Sequence, residues 1–333
     1  MFLNQKKIFI VAEAGNNHEG DIKVAKKLID KAVFAGADAI KFQTFKPENF
    51  INNEEKKRLK QLQKFSLDIK DFKELSNYAK KKKIIFFSTP LDLNSAKELN
   101  KFQKFFKISS GDNNYFDLIK VISDFKKPMI ISTGLADMRL IKKIYVFLKK
   151  NKKFKISKKN FAFLHCVSSY PVPIEQANLL SIKYLMKKFK NISIGYSDHT
   201  VGMHACLVAA SLGVQIIEKH FTIDNNFSKF RDHRLSLNPI NFKKMVEIIR
   251  EIELLLGKEK KIIQKCEKEG LKSSRRSLAF NKKLPKGSKL SAKDLFGLRP
   301  EKNISIEKKK LFIGKITKKN VKKGEFLSKL NIN

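Results

Sequence analysis

The chain alternates short apolar runs with longer stretches in which apolar residues recur every three to four positions. KIFIVAEAG (7–15) gives way to the amphipathic AKKLIDKAVFAG, and DAIKFQTF (38–45) leads through a longer loop to LDIKDFKELSNYAKKK. IIFFSTP (84–90) precedes a short helix from Leu91, FFKISSGD (105–112) precedes FDLIKVISDF, and PMIISTG (128–134) precedes MRLIKKIYVFLKK. FAFLHCVSSYP (161–171) is followed by SIKYLMKKF, ISIGYSDHT (192–200) by HACLVAASLG, and IIEKHFT (216–222) by FKKMVEIIREIELLLG. Apolar runs joined by helices describe a parallel sheet buried on both faces. Eight such units over roughly 250 residues predict an α/β fold, a closed (β/α)8 TIM barrel. The alternative is an open doubly wound sheet. It calls for a phosphate-binding glycine fingerprint after the first strand, and EAGNNHEG lacks that spacing.

After Gly257 the pattern changes. KEKKIIQKCEKEG reads as a charged helical linker, and RRSLAF, KLPKGSKLS, LRP and IGKITKKNVKKGEFL read as small strands with two similar Lys-Gly turns. The expected division is a barrel over 1–258, a linker over 259–272 and a small β-rich domain over 273–333. A domain of that last size is marginal alone and is expected to lean on the barrel or on a partner subunit.

The 333 residues suffice for such a core, and their 42% hydrophobic content is ordinary for a globular chain. No apolar run is long enough for a membrane span, and MFLNQKKIFIVAEAG lacks the ordered parts of a signal peptide. Cys166, Cys206 and Cys266 are far apart and without metal spacing, which fits free thiols in a reducing cytoplasm. The net charge of +39 invites a nucleic-acid reading. That reading predicts steeply salt-dependent DNA binding. Against it, lysine dominates arginine, the lysines are spread over helix faces and loops, and no basic block is interleaved with stacking aromatics. A positive field that draws in a small anionic substrate remains.

IIEKHFT places a glutamate, a lysine and a histidine inside a strand that should be buried, and IGYSDHT repeats the pattern. In a barrel, strand C-termini share one mouth, where active sites form. Those ends supply Glu13, Asn16, Asn17 and His18; Lys41 and Gln43; Ser88 and Thr89; Lys107, Ser109, Ser110 and Asp112; and Ser132 and Thr133. The last three supply His165, Ser168 and Tyr170; Ser197, Asp198 and His199; and Glu218 and His220. Eight polar strand ends together are hard to explain as packing, because buried polar groups cost free energy unless paired. Alternation points Lys41 with Gln43 and Glu218 with His220. His199 and His220 end adjacent strands about 4.8 Å apart. They can share one divalent metal, or each can bond a backbone carbonyl. Lys41 and Lys107 form an anion site for phosphate or carboxylate. Glu13, Asp112 and Glu218 are candidates for acid–base work, or for ion pairs with neighbouring lysines.

VAEAGNNHEGD (11–21), AGADAIKFQTF (35–45), FSTPLD (87–92), FKISSGD (106–112), ISTG (131–134), LHCVSSYP (164–171), IGYSDHTVG (194–202) and IIEKHFT (216–222) resemble the sialic acid (nonulosonic acid) synthases. That family includes N-acetylneuraminate, legionaminate and pseudaminate synthases. RRSLAF, KLPKG, LRP and IGK resemble its antifreeze-protein-like (SAF) domain. The resemblance implies condensation of phosphoenolpyruvate with an open-chain N-acyl hexosamine, N-acetylmannosamine or an analogue. The products are a nine-carbon keto acid and phosphate, formed with C–O cleavage. It implies a divalent metal, Mn2+ or Mg2+, held by His199 and His220, and a catalytic carboxylate at Glu13. Lys41, Thr89, Lys107, Ser110, Ser132 and Ser197 match phosphoenolpyruvate positions, and Gln43, Tyr170 and Glu218 match sugar positions. Asp112 stands where many members have Glu, and Ser168 where some have Asn. The loop NNFSKFRDHRLS keeps Asp232 and His233 but lacks the usual Gly-Pro, and Asp232 is the expected partner of a sugar hydroxyl. The resemblance also implies a homodimer in which the C-terminal domain caps the partner's barrel, placing Arg276, or else Arg275, at the N-acyl group.

Overall fold

The computed structural model describes residues 7–333. Residues 1–6, on which part of the signal-peptide reading rests, lie outside them. The chain forms two units, one up to Gly257 and one from Lys258. In the first, strands β1 (Phe9–Gly15), β2 (Ala39–Thr44), β3 (Ile85–Pro90), β4 (Phe106–Ile108), β5 (Met129–Ser132), β6 (Phe161–Cys166), β7 (Ser193–Asp198) and β8 (Ile216–His220) alternate with helices. They pair in the order β3-β2-β1-β8-β7-β6-β5-β4, and every ladder is parallel. This is the expected TIM-like barrel, nearly closed.

The seam lies between β3 and the three-residue β4, where no ladder forms. There the buried Gln103 amide stands in for a strand. It accepts from the Ser88 N–H at 3.0 Å and donates to the Ser88 carbonyl at 3.2 Å. Phe87 and Phe105 pack across the same seam, ring centroids 4.3 Å apart.

Strand parity sorts the side chains into two cores. Outward residues such as Ile10, Ile40, Phe106, Ile131, Phe163, Ile194 and Ile217 pack under the helices. Inward residues Phe9, Val11, Ala39, Phe87, Phe105, Ile130, Ala162, Leu164 and Ile216 fill the barrel. Gly195 is the inward residue of β7, where an added Cβ would stand 2.5 Å from Leu164 Cδ2 and 2.7 Å from the Ile216 carbonyl oxygen.

The helices start and stop where the sequence chemistry directs. Asp137 accepts from the Arg139 and Leu140 amides to open the helix Met138–Lys150, which buries Ile141, Ile144 and Leu148 at helical spacing. The last barrel helix, Pro239–Leu256, opens with an Asn238 cap and a proline in its first turn. It ends at Gly257, whose φ of +56° few other residues adopt.

In the second unit, β9 (Ser277–Phe280) and β10 (Leu295–Leu298) pair antiparallel. They cover a core of Leu278, Phe280, Leu290, Leu295, Val321, Leu327 and Ile332. Gly287 and Gly324, of the two Lys-Gly turns, share a φ of +86°. The linker is helical only from Glu267 to Ser274. Residues 258–266 are all exposed, so no buried face supports a helix there.

Candidate active site

Parity answers the question posed by three ionisable residues in a row on β8. Glu218 and His220 continue the inward column of Ile216 into the mouth. Lys219 points the other way and is completely buried. Its ammonium lies 2.7 Å from Asp198, the outward residue of β7, and it also donates to the Thr200 carbonyl. Asp198 further accepts from the Tyr196 hydroxyl and the Thr200 amide, both at 2.9 Å. Its neighbours Ser197 and His199 face the mouth. Each strand thus alternates one site residue with one strut residue.

The mouth is a cavity of about 460 Å³. At its floor two carboxylates meet two ammoniums, all buried. Lys41 lies 2.8 Å from Glu13 and 3.6 Å from Glu218, and Lys107 lies 2.9 Å from Glu218. Gln43 donates to Glu13 at 3.1 Å and Ser197 to Glu218 at 2.9 Å. Lys41 reaches Thr89 at 3.3 Å, so Thr89 acts from behind the cavity wall. Burial pushes both carboxyls up. At Glu218 two ammoniums and two hydrogen bonds overcome it and hold the group at about 2. At Glu13 burial outweighs Lys41, and the carboxyl stays above its ordinary range. Burial pulls both lysines down. The two carboxylates reverse this at Lys41, whereas Lys107 remains below its usual value. Glu13 and Glu218 are thus both ion-pair partners and acid–base candidates, whereas Asp112 pairs with no lysine among the described residues.

On the β4–β6 side, Ser110 and Ser168 converge on Gly134, and Ser132 lines the same wall. A Cβ on Gly134 would stand 2.4 Å from Ser168 Oγ and 2.7 Å from Ser110 Oγ. The hydroxyl oxygens of Ser132 and Ser168 are buried without a protein partner, which leaves their donors to a ligand. Asp112 lines the same wall and accepts from Ser109, while burial pushes its carboxyl up.

The opposite rim carries Tyr170, whose ring packs at a tilt on His199 with centroids 4.2 Å apart, and Asp232. Arg231, absent from the sequence-based candidates, lies over Tyr170 at 4.7 Å and 3.3 Å from Asp232. Arg58 and Cys166 also line the mouth unanticipated. Cys166 rather than His165 is the inward residue of β6. His165 turns outward, bonds the Ala177 carbonyl at 2.9 Å and stacks on Tyr196. Ser88, a polar strand end by its place in the sequence, also points outward and bonds Thr44 at 2.6 Å. Thr133 likewise spends its hydroxyl on the Leu164 carbonyl at 3.0 Å.

His199 and His220 lie side by side, ring centroids 5.2 Å apart. His199 Nδ1 is 2.8 Å from the Val167 carbonyl, so in the neutral ring it carries the proton there and leaves Nε2 as a lone-pair donor; burial lowers the ring's pKa, but Cys166 and that carbonyl raise it overall. His220 Nδ1 is buried without a partner, and burial holds the ring neutral. Two imidazoles with free lone pairs fit a divalent cation as two ligands, with the other positions left to oxygen donors. Among the described residues no group of three or more His, Cys, Asp or Glu converges as a ready-made metal cage. Arg276 belongs to the second unit, where its guanidinium donates to the Gly297 carbonyl at 2.9 Å.

A model of the NeuB family matches residues 28–261, and one of the SAF domain matches 275–332. The N,N'-diacetyllegionaminic acid synthase of Campylobacter jejuni is 40% identical over 336 residues, covering 97% of this chain and 99% of its own. Human N-acetylneuraminate-9-phosphate synthase is 33% identical over 302 residues, 86% of this chain and 82% of its own. The crystal structure of N-acetylneuraminic acid (sialic acid) synthetase from Leptospira borgpetersenii in complex with citrate superposes with a TM-score of 0.74. It is 36% identical and covers 79% of this chain and 90% of its own. The barrel with its polar mouth, and the β-rich C-terminal unit, therefore belong to a member of the NeuB family of sialic, legionaminic and pseudaminic acid synthases, carrying a C-terminal SAF domain.

Proposed function

We propose that the protein condenses phosphoenolpyruvate with an open-chain N-acyl hexosamine to give a nine-carbon keto acid and phosphate. The observation that carries this reading is the buried floor on which Lys41 and Lys107 meet Glu13 and Glu218 beneath the two histidines. The new C–C bond joins C3 of phosphoenolpyruvate to the aldehyde carbon. Water adds to C2, and phosphate leaves as the C2–O bond breaks. Lys41 and Lys107 hold the carboxylate and phosphate, and the unsatisfied hydroxyls of Ser132 and Ser168, with Ser110 and Ser197, add donors. Two carboxylates and two ammoniums cancel, so an arriving anion keeps Lys107 charged and drives Glu13 further toward its protonated form. Glu13 is thereby the group that moves protons at the aldehyde oxygen and the attacking water. Glu218 stays ionised and anchors both lysines. Gln43, Tyr170 and Asp232 hold the sugar, and Asp112 serves the phosphate wall. A divalent metal held by His199 and His220, Mn2+ or Mg2+, supplies Lewis-acid polarisation of the aldehyde. Arg276 of a partner subunit's SAF domain completes the sugar site in a homodimer.

The full-length 40% relative favours the diacetamido-trideoxy mannose analogue of the legionaminate route as acceptor. N-acetylmannosamine stands second, supported by the 36% identical sialic acid synthetase. The test is phosphate release from phosphoenolpyruvate by metal-stripped protein, with each sugar in turn and with or without Mn2+. Release with one sugar and only with metal is expected. No release with any N-acyl hexosamine in the presence of metal overturns the reading.

A further inference from the structure

His233 is buried beside the mouth but does not line it, and the chemistry proposed above does not use it. Every polar group of its side chain and its carbonyl is engaged. Nδ1 lies 2.6 Å from the Thr222 hydroxyl, Nε2 lies 3.2 Å from Glu19, and the carbonyl accepts from Asn225 at 2.9 Å. Phe227 and Phe230 pack on the ring at 5.1 and 6.0 Å. It is the hub of the loop after β8. Glu19 comes from a different loop, the one after β1, and sits there in the left-handed region with φ +48°. Its carboxylate accepts from both His233 and Ser228 of the β8 loop. The residues immediately before His233 are Phe230, Arg231 and Asp232, and all three line the mouth.

We propose that Glu19 and His233 are positioning residues. They form a strut between the β1 and β8 loops that holds Arg231 and Asp232 over the acceptor half of the site. The assignment of that half to the acceptor rests on the function proposed above. The phosphoenolpyruvate half is built separately, from Lys41, Lys107, Ser132 and Ser197 on strands and Ser110 and Ser168 just beyond β4 and β6. Glu19 contributes acceptor atoms from outside the cavity, so its charge is dispensable and its carbonyl geometry is not. Glu19→Gln keeps an acceptor oxygen for His233 and Ser228, whereas Glu19→Ala removes it.

The experiment uses full-length protein and three variants: Glu19→Ala, Glu19→Gln and His233→Ala. Amide hydrogen exchange is read over residues 225–236 and over the barrel strands, alongside KM for acceptor and for phosphoenolpyruvate by phosphate release. Glu19→Ala and His233→Ala are expected to speed exchange in 225–236 while the strands keep wild-type protection. They should raise the acceptor KM by about tenfold or more with little change for phosphoenolpyruvate, the signature of lost positioning. Glu19→Gln should behave as wild type in both readouts. Unchanged loop exchange in Glu19→Ala overturns the strut. So does an equal rise in both KM values, or Glu19→Gln as impaired as Glu19→Ala. If the wild-type protein turns over no N-acyl hexosamine, the reading of the function fails on that result. The exchange comparison then still decides the strut by itself.

Discussion

Glu13 and Glu218 reach the same ammonium, that of Lys41, yet their carboxyls move in opposite directions from the ordinary value. The difference is the second lysine and the serine that Glu218 alone engages. Replacing each by glutamine should therefore separate chemistry from architecture. Glu13→Gln is expected to leave the fold and phosphoenolpyruvate binding in place and to lower turnover about 10²- to 10⁴-fold, the range for loss of a proton-transfer group. Glu218→Gln takes from Lys107 the one carboxylate it pairs with, whereas Lys41 keeps Glu218 when Glu13 is replaced. Glu218→Gln should show in calorimetry first, as a loss on the order of 3 kcal/mol. His18 gives a different readout. Burial lowers its imidazole to about 4 from 6.5, with Asp21 opposing weakly. The unfolded chain then takes up a proton that the folded one refuses. Stability from this residue is complete above pH 6.5, falls as the pH drops toward 4, and levels off below. The full span corresponds to about 3 kcal/mol at most. His18→Gln should flatten that part of the melting-temperature profile between pH 7 and 4.

At the scale of the strand, site and scaffold are interleaved. The Asp198–Lys219 pair has no exposure at all and ties the ends of β7 and β8 one residue away from His199 and His220. Lys219→Ala leaves a buried carboxylate unpaired and should cost about 3–5 kcal/mol. Adding Asp198→Asn should recover part of that loss, as thermal denaturation of the single and double variants would reveal. Period-two alternation makes this order readable in the sequence. The apolar runs located the strands, and counting by twos from Ile216 put Glu218 and His220 on one face. The reading faltered where strand ends pass into turns. His165 and Cys166 are neighbours, and nothing local says which of them faces in; the inward column of Ala162 and Leu164 decides it. Arg58 sits on the helix Lys56–Phe65 and Arg231 opens the short helix Arg231–Leu235, and the approach of both to the mouth depends on tertiary packing, such as Phe65 against Phe230 at 5.0 Å. Gln103 is not legible in the sequence, because a side chain replacing a strand partner leaves no periodic trace.

For the whole molecule, the net charge of +39 accompanies a buried floor whose own charges cancel. Capture of an anionic substrate by that field should weaken with ionic strength, because the surface lysines are screened beyond about 10 Å at 0.1 M salt. The expected result is a fall in kcat/KM for phosphoenolpyruvate between low and moderate salt, at nearly constant kcat. The SAF unit has its own core around Leu278, Phe280 and Leu327, and its Arg276 is the residue proposed to reach the acceptor of a partner subunit. A chain ending at residue 258 should therefore keep phosphoenolpyruvate binding and lose affinity for the sugar. Full activity in that truncated chain would remove the arginine's assigned role.

The seam at Gln103 has a consequence for taking the protein apart. It separates consecutive strands, so a cut at the exposed Lys101 severs no ladder of the barrel. The break divides the chemistry evenly: Glu13 and Lys41 fall on one fragment, Lys107 and Glu218 on the other. Neither piece holds a complete floor, and the ladder of β1 with β8 is the long edge along which they would rejoin. Two separately expressed fragments, mixed and assayed for phosphate release, would make this barrel a split reporter whose signal is its own reassembly.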